Sequence, residues 1–420
     1  MTHTTEADCR ALDAADPLAS LRDLFEIPDG AVYLDGNSLG ALPRATAARV
    51  QQVIREEWGR DLIQSWNKAG WIDLPGRVGD KIARLVGAGA GQLVVADSTS
   101  VNLYKVLSAA MTLQARERPA ARVIVSERDN FPTDLYIAQS IARQFGATLE
   151  LLEADKIEQR LGADVAVLML TQVNYRTGRL HDMARLTARA HEHGTLAVWD
   201  LCHTAGALPV DLLGSHADFA VGCGYKYLNG GPGAPAFVWA HPRHVDVFEQ
   251  PLSGWMGHAA PFEFTTDYRP AAGIARYTCG TPAIVSLAAL ECGVDTLLAA
   301  EPLGGMAALR KKSIALTELF AALVREYCAG HGLEFASPAD ASTRGSQICL
   351  SHAQMGYAVV QALIARGVVG DFRAPDILRF GFTPLYTRYL DVWRAVCHLR
   401  EVLESGEWRR PEFNRRHAVT

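Results

Sequence analysis

A carboxylate and a lysine stand one strand–turn–strand step apart, each after an apolar run. Residues 196–199 are apolar and lead into Asp200, and residues 219–221 are apolar and lead through a short turn to Lys226. Taken singly, Asp200 is typical of a turn or helix cap and Lys226 of a solvated loop. Taken together, they predict two groups at the same edge of a sheet, where open α/β sheets bind their ligands.

That pair suits pyridoxal 5'-phosphate (PLP). A lysine amine can hold this cofactor as a Schiff base, and its pKa must fall for the amine to act as nucleophile and base. A carboxylate can keep the pyridine nitrogen protonated, so that the ring accepts electrons from a carbanion. We therefore predict that Lys226 carries PLP and that Asp200 pairs with its ring.

Two further segments follow apolar runs in a way that fits this cofactor. Hydroxyl residues around Thr99 and Ser100 open a predicted helix, and hydroxyls with free N–H groups at a helix start suit a phosphate dianion. An ordinary N-cap cluster is the alternative. Phe131, which Pro132, Thr133 and Asp134 follow, could stack on the ring or simply pack in the core.

Strands and helices alternate through the middle of the chain, which predicts a mainly parallel sheet. The predicted strands are seven apolar runs, at residues 93–96, 123–125, 149–152, 165–170, 196–199, 219–221 and 236–240. The predicted helices include residues 46–60, 101–113, 136–145 and 182–193.

The pattern of apolar runs and predicted helices changes after about residue 300. A long amphipathic stretch at 309–329 is followed by an apolar run at 348–350, a helix near 355–366, a run at 377–380 and a last helix near 390–404. This pattern predicts a smaller α/β domain. We expect an N-terminal segment at 1–45 that packs with the small domain, a large PLP-binding domain at 46–300 and a small C-terminal domain at 301–420.

Composition excludes several classes of protein. The chain has 420 residues, a net charge of -5 and 49% hydrophobic residues, and this argues against a nucleic-acid binder. No signal peptide and no apolar span for a membrane is evident, and the eight cysteines are scattered without a CxxC pair. We expect a cytoplasmic protein with reduced thiols.

Other site chemistries are poorly supported. His191-Glu-His193 and the pair His241 and His244 lack the spacing of zinc proteases, so no metal site is predicted. Gly222-Cys-Gly224 lacks the third glycine of a dinucleotide fingerprint, and neither a GxSxG nor a Walker motif occurs.

Several motifs in order resemble those of kynureninases, fold-type I PLP hydrolases of tryptophan breakdown. The resemblance covers about residues 30–390, and the motifs are Tyr33-Leu-Asp-Gly-Asn-Ser38-Leu-Gly, Asn130-Phe-Pro-Thr-Asp134, Trp199-Asp200-Leu-Cys-His203, Tyr225-Lys226-Tyr-Leu-Asn-Gly-Gly and Gly254-Trp255-Met-Gly-His258. It implies a fold-type I architecture, with a large domain built on a mainly parallel seven-stranded sheet and a smaller C-terminal α/β domain.

The resemblance also implies roles for individual residues. Cofactor contacts are implied for Thr99, Ser100, Phe131, Pro132, Thr133, Asp134, Thr171, Asp200, His203, Tyr225, Lys226, Trp255 and Thr281. Thr171 would lie near the phenolic oxygen of the ring, and Trp255 and Thr281 would come from the partner subunit of a homodimer. Arg379 would bind the substrate carboxylate; without the resemblance, it could equally be an arginine on a surface strand. Ser38 and Trp66 would line the substrate pocket.

This sequence departs from the animal members at two places. They carry asparagine at the position of Thr281, and a pocket histidine near the position of Trp66 and Asn67. An indole there favours a substrate ring without a 3-hydroxyl, as in the bacterial type. Trp71 is the rival of Trp66 for this position.

The implied reaction is hydrolysis of L-kynurenine, and less readily of its 3-hydroxy form, to anthranilate or 3-hydroxyanthranilate and L-alanine. Lys226, Asp200 and Tyr225 would be catalytic, with Tyr225 as a proton carrier. Another fold-type I activity, an aminotransferase or a cysteine desulfurase, is the alternative; a desulfurase needs a cysteine on a mobile loop, whereas Cys328 and Cys349 lie in apolar contexts. A non-catalytic PLP-binding regulator is a further alternative, and it would need a DNA-binding module.

Overall fold

The computed structural model describes residues 4–248 and 250–416. The strands are β1 (Phe25–Glu26), β2 (Val32–Tyr33), β3 (Leu42–Pro43), β4 (Leu93–Val95), β5 (Val123–Glu127), β6 (Thr148–Leu152), β7 (Val165–Thr171), β8 (Leu196–Asp200), β9 (Phe219–Gly222), β10 (Phe237–Ala240), β11 (Glu334–Phe335), β12 (Gln347–Ser351), β13 (Val368–Val369), β14 (Asp371–Arg373) and β15 (Ile377–Gly381). The helices are α1 (Glu6–Ala14), α2 (Arg44–Gln52), α3 (Ser65–Lys68), α4 (Leu74–Leu85), α5 (Thr99–Glu117), α6 (Pro132–Phe145), α7 (Ile157–Arg160), α8 (Met183–Glu192), α9 (Pro242–Val245), α10 (Ile284–Leu298), α11 (Gly305–Tyr327), α12 (Gly356–Ala365) and α13 (Tyr389–Ser405).

A seven-stranded sheet forms the centre of the large unit, by which we mean β4–β10 and the helices that cover them. Its order is β4-β10-β9-β8-β7-β5-β6, and only β10 runs antiparallel to its neighbours. All seven predicted runs are strands of this sheet, so the mainly parallel α/β architecture is confirmed.

Helices cover both faces of this sheet, which explains why its strands are apolar throughout. Every residue of β7 is buried. Leu168 and Leu170 belong to the core on one face, whereas Val167 and Met169 belong to the core on the other.

A second sheet lies in the small unit, which comprises β11–β15 and α11–α13. The order β11-β12-β15-β14 is antiparallel throughout. Leu316 and Phe320 of α11 pack with Val359 of α12 and Leu399 of α13 in a separate core.

The N-terminal segment joins the small unit. β2 pairs in parallel with β13, and the Gly381 N–H donates to the Leu34 carbonyl at 2.7 Å. Leu34 itself lies in the core of the small unit. The chain after β2 therefore leaves the small unit and crosses to the large one.

One predicted helix differs from the structure. We expected an α-helix over 46–60, but α2 ends at Gln52 and a π-helix continues over Val53–Trp58. The π-helical turn places Glu57 inward, where it accepts from Arg49 at 2.6 Å and from the indole N–H of Trp71 at 2.7 Å. Among the helices of the described ranges, no helix is long and apolar enough to cross a membrane.

Candidate active site

Lys226 and His203 meet at the carboxyl edge of the large sheet. Lys226 lies just beyond β9 and His203 just beyond β8, and these strands are neighbours. The Lys226 Nζ lies 3.0 Å from the His203 Nε2. Burial and the nearby charges of Lys226 and two arginines lower the pKa of His203 well below its ordinary value. The ring is therefore neutral, and its Nε2 accepts from the lysine ammonium.

The pKa of Lys226 is raised, opposite to the direction that the sequence led us to expect. Burial acts to lower it, but Cys223, Cys202, Tyr225 and Asp200 together raise it above the ordinary value. The physical reason is the number of groups near Nζ that favour its charged form. A positive charge paired with Asp200 would reduce the effect of that carboxylate on the pKa of Lys226.

Two carboxylates share one buried hydroxyl beneath this lysine. The Thr171 Oγ1 lies 3.3 Å from Asp134 and 3.4 Å from Asp200, and it also bonds Asn130. One hydroxyl hydrogen cannot serve three acceptors at once. Burial and the adjacent Asp200 raise the pKa of Asp134 well above its ordinary value, so Asp134 holds the extra proton and stays neutral.

Asp200 is the second carboxylate of this group. It lies at the end of β8, is buried, and accepts from the Cys202 backbone N–H at 2.7 Å. Thr171 joins this carboxylate cluster at the end of β7. The position near the phenolic oxygen of a cofactor ring, which the resemblance implies for Thr171, stays a prediction.

Aromatic side chains stand over the lysine. The Lys226 Nζ lies 5.9 Å from the centre of the Phe131 ring and 5.7 Å from that of Tyr225. Phe131 is 41% exposed and meets Tyr175 edge to face at 5.3 Å, so it is not core packing. Burial raises the pKa of Tyr225 to about 12, which keeps its hydroxyl protonated at neutral pH.

The sequence predicts a phosphate cup at the start of α5. Ser98 is the N-cap residue and accepts from the Val101 N–H, while Thr99 and Ser100 form the first turn. The Thr99 Oγ1 also lies 3.5 Å from the Cys202 Sγ. A helix of 19 residues presents open N–H groups and a positive dipole end at this point. Pro132 and Thr133 likewise form the first turn of α6, with the buried Asp134 after them.

A buried lysine that sequence reasoning missed supports this cup. Lys105 is fully buried and bonds Asp97, the Asn102 side chain at 3.3 Å and the Tyr277 carbonyl at 2.6 Å. It therefore ties the turn before α5 to the segment that leads to Thr281. The sequence does contain a signal for Lys105, because it is a lysine on the apolar face of a predicted helix.

The lysine loop also touches the N-terminal segment. The Gly40 N–H donates to the Tyr225 carbonyl at 2.8 Å. A side-chain carbon at position 40 would lie 2.5 Å from the Lys226 carbonyl oxygen, so only glycine fits there.

Arg379 is not a surface arginine. It lies on β15 with 1% exposure, opposite Asp371 of β14. Its Nε donates to Asp371 at 2.8 Å, its Nη2 to Ser38 at 2.7 Å and its Nη1 to the Tyr175 carbonyl at 3.0 Å. The structure thus brings together Ser38 and Arg379, two residues for which the resemblance implies substrate contacts.

Three charged residues complete this group and were missed. Arg373 of β14 donates to Asp371 at 2.6 Å and to Ser38 at 3.1 Å. Although burial acts to raise it, the two arginines hold the pKa of Asp371 below its ordinary value. Burial and the nearby Asp371 raise the pKa of Asp35 to about 7. We call Ser38, Asp35, Asp371, Arg373 and Arg379 the arginine cluster.

Trp255 begins a short 3-10 helix and Thr281 lies in a loop, and both are exposed. Trp255 stacks on Phe264 with ring centres 6.4 Å apart and meets Phe262 edge to face. Thr281 borders a cavity of about 540 Å³ whose wall also includes Asp97, Ser98 and Tyr225.

Trp66 and Trp71 pack together, edge to face, with ring centres 6.1 Å apart. The indole N–H of Trp71 is held by Glu57, which indicates a role for Trp71 within its own segment.

The residues present fit PLP. A lysine, a carboxylate, an aromatic face and an open helix start lie together at the carboxyl edge of the large sheet, and they match an aldehyde, a pyridine nitrogen, a flat ring and a phosphate in turn. Among described residues, no group of three metal-ligating side chains occurs.

Comparison with known proteins supports this chemistry. The family described as "Kynureninase C-terminal domain" matches residues 309–399. The kynureninase of Pseudomonas fluorescens is 55% identical over 99% of this chain and 100% of its own length. That of Burkholderia pseudomallei is also 55% identical, with the same coverage.

Solved structures show the same fold at lower identity. A cysteine desulfurase from Thermococcus onnurineus has a TM-score of 0.77 at 17% identity, over 92% of this chain and 98% of its own. A cysteine desulfurase from Escherichia coli has a TM-score of 0.76 at 20% identity, over the same shares. These likenesses confirm the fold-type I architecture.

Proposed function

The chain belongs to the kynureninase family, and on that premise we propose that it hydrolyses L-kynurenine to anthranilate and L-alanine with PLP as cofactor. The observation that carries the proposal is the contact of Lys226 with His203 near Asp200, close to the arginine cluster. The first group suits the cofactor, and the second suits the carboxylate of an amino-acid substrate.

The large unit would hold the cofactor. Lys226 would bind it covalently through Nζ, Asp200 would face its pyridine nitrogen, and Phe131 would cover its ring. Thr99 and Ser100 would bind the phosphate with the start of α5. Thr171 and the neutral Asp134 would keep Asp200 in place.

When bound, PLP supplies a conjugated ring that accepts the electron pair left at the substrate α-carbon. Lys226 would remove and return protons at that carbon, because its amine lies among His203, Phe131 and Tyr225, where the cofactor ring would bind. His203, which is neutral, would accept from Lys226 and orient it. Tyr225 would carry the proton needed as water adds to the side-chain carbonyl and the Cβ–Cγ bond breaks.

We propose that the pocket prefers L-kynurenine to its 3-hydroxy form. The support is Trp66, whose indole is not tied down by Glu57 as that of Trp71 is. Exchange of Trp66 for histidine should raise the relative kcat/KM for the hydroxylated substrate, and the same exchange at Trp71 should not.

The N-terminal segment 1–45, a large domain at 46–300 and a small domain at 301–420 are the proposed divisions. The separate core of the small unit and the β2–β13 pairing support them. Limited proteolysis with mass spectrometry would test the boundaries.

The proposed assembly is a homodimer in which Trp255 and Thr281 serve the partner's phosphate site. Exposed aromatics support it, since Phe262 is 60% and Phe264 76% exposed beside Trp255. Sedimentation should give twice the chain mass, and inactive Lys226→Ala and Trp255→Ala chains should regain activity when mixed. A cytoplasmic location stays a prediction that cell fractionation would check.

The direct test is incubation of purified protein and PLP with L-kynurenine. We expect anthranilate fluorescence and an equal amount of L-alanine. An aminotransferase would need a keto acid and leave pyridoxamine phosphate, and a cysteine desulfurase would release sulfur from L-cysteine. Absence of anthranilate from fully loaded protein would refute the proposed function.

A further inference from the structure

The contacts within the arginine cluster leave few N–H donors of Arg379 free for a substrate. A guanidinium has five N–H bonds, and those of Arg379 are almost all engaged. Its Nε and one Nη2 hydrogen face Asp371, the other Nη2 hydrogen faces Ser38, and one Nη1 hydrogen faces the Tyr175 carbonyl. A single N–H is left, whereas a two-pronged grip on a carboxylate needs two.

Arg373 has the donors that Arg379 lacks. Within residues 4–248 and 250–416, its hydrogen bonds run through Nη2 alone, to Ser38 and Asp371, and its buried Nε has no partner. Its side chain is 37% exposed, against 2% for that of Arg379. Arg373 therefore reaches the open side of the cluster with unused N–H groups.

Register places the two arginines side by side. Asp371 and Arg373 are two residues apart on β14, so they share a face, and Arg379 stands opposite Asp371 on β15. Both Nη2 atoms bond the same Ser38 Oγ, at 2.7 and 3.1 Å. The free N–H of Arg379 and those of Arg373 thus lie beside one another.

The charges of the cluster also favour an anion. Two arginines face one firmly ionised carboxylate, Asp371, while the pKa of Asp35 is raised to about 7. Burial and the charge of Arg379 lower the pKa of Arg373, which an added anion would reverse. The cluster lies close to the lysine, since both arginines act on the pKa of His203.

We propose that Arg373 is a second ligand of the substrate α-carboxylate and binds it jointly with Arg379. Each arginine contributes N–H donors to the carboxylate, and Asp371 and Ser38 hold the two guanidinium groups in place. The inference rests on the proposed function, because it presumes an amino-acid substrate at this site.

The test compares Arg373→Met and Arg373→Lys with wild-type holoenzyme. The probes are L-alanine and L-alaninamide, in which a neutral amide replaces the carboxylate, and binding is read from the visible absorption of the bound cofactor. We expect Arg373→Met to weaken L-alanine binding about 10- to 100-fold, the worth of a charge-assisted hydrogen bond. L-Alaninamide binding should change less than about twofold. For L-kynurenine, KM should rise more than kcat falls.

Arg373→Lys should restore part of the L-alanine affinity, because it returns charge without the fork. Arg400→Met is the control: Arg400 is also 37% exposed and its buried Nε also has no hydrogen-bond partner, but it lies on α13 and forms an ion pair with Glu404 at 3.9 Å. Equal losses for both probes would mean that Arg373 only supports the cluster and would overturn the proposal, as would unchanged L-alanine binding. Because these readings do not depend on anthranilate, they stand apart from failure of the proposed function.

Discussion

The candidate site has two sides. On the large-unit side, Asp134 and Asp200 lie near one lysine; on the small-unit side, in the arginine cluster, Asp35 and Asp371 lie near two arginines. Near the lysine, burial and the adjacent Asp200 raise the pKa of Asp134 well above its ordinary value. Near the arginines, the pKa of Asp371 is held below its ordinary value while that of Asp35 is raised to about 7. In both places burial beside a second carboxylate makes one carboxyl group a weaker acid, and the nearby cations decide how far.

The largest expected effect is a difference in kcat between variants of the two carboxylates proposed to lie at the cofactor. Asp200→Asn should lower kcat roughly 10²–10⁴-fold, because a buried pyridinium would lose its counter-charge. Asp134→Asn should stay within about tenfold of wild type, since an amide replaces a neutral acid of the same shape. Steady-state anthranilate assays measure both, and equal losses would contradict the assignment of the proton to Asp134.

On the small-unit side, we expect stability to change most at Asp371. Asp371→Asn should lower the free energy of unfolding by about 3 kcal/mol, because it leaves the buried Arg379 without its counter-ion. Asp376→Asn is the control: its pair with Arg176 is partly exposed, at 3.0 Å, and should contribute less than about 1 kcal/mol. Urea unfolding of the holoproteins measures the difference, and similar values for both variants would refute it.

Asp35 should produce a pH dependence. Its pKa is raised from 3.8 to about 7, so between these values the folded protein binds a proton that the unfolded chain does not. Stability should therefore fall as pH rises from about 4 to about 7, by roughly 2–4 kcal/mol. Asp35→Asn should remove this slope. The variant should be more stable than wild type at pH 8 and should differ little from it at pH 4. Unfolding midpoints across this range measure it, and parallel curves would contradict it.

The smallest effect concerns the shared hydroxyl. Thr171→Val should lower kcat less than about tenfold, because it removes hydrogen bonds worth about 1 kcal/mol from the carboxylate cluster. Thr195→Val removes a buried hydroxyl that bonds the Val165 carbonyl at 2.8 Å, and it should affect stability but not kcat. A loss of kcat in both variants would deny Thr171 a role at Asp200.

The two sides also differ in how far the sequence predicts them. The large-unit side follows from strands that recur in chain order, so Asp200, Lys226 and Thr99 were found from local pattern. The arginine cluster depends on a hairpin register and on a segment far away in the chain, and only Ser38 and Arg379 were found, through family resemblance. Asp371 and Arg373 stand on the same strand face as Arg379, but β14 is too short for periodicity to reveal it.

Electrostatics was the least predictable property. The raised pKa of Lys226 depends on Cys223 and Cys202, and these thiols come near the lysine only when β8 and β9 pair. The same holds for Lys105, whose partners come from the turn at Asp97 and from Tyr277. Charge balance at a buried site is a property of tertiary contacts, which spacing alone does not contain.

The pairing of β2 with β13 has a consequence for synthesis. Ser38 and Gly40 leave the ribosome early, yet Leu34 bonds Gly381, near the other end of the chain. At roughly 5–20 residues per second, translation needs tens of seconds to supply that partner. The contacts of β2 and Leu34 with the small unit therefore form only after residue 381 has emerged, and so does the substrate side of the site, which includes Arg379. Activity should appear after that point of synthesis and not before.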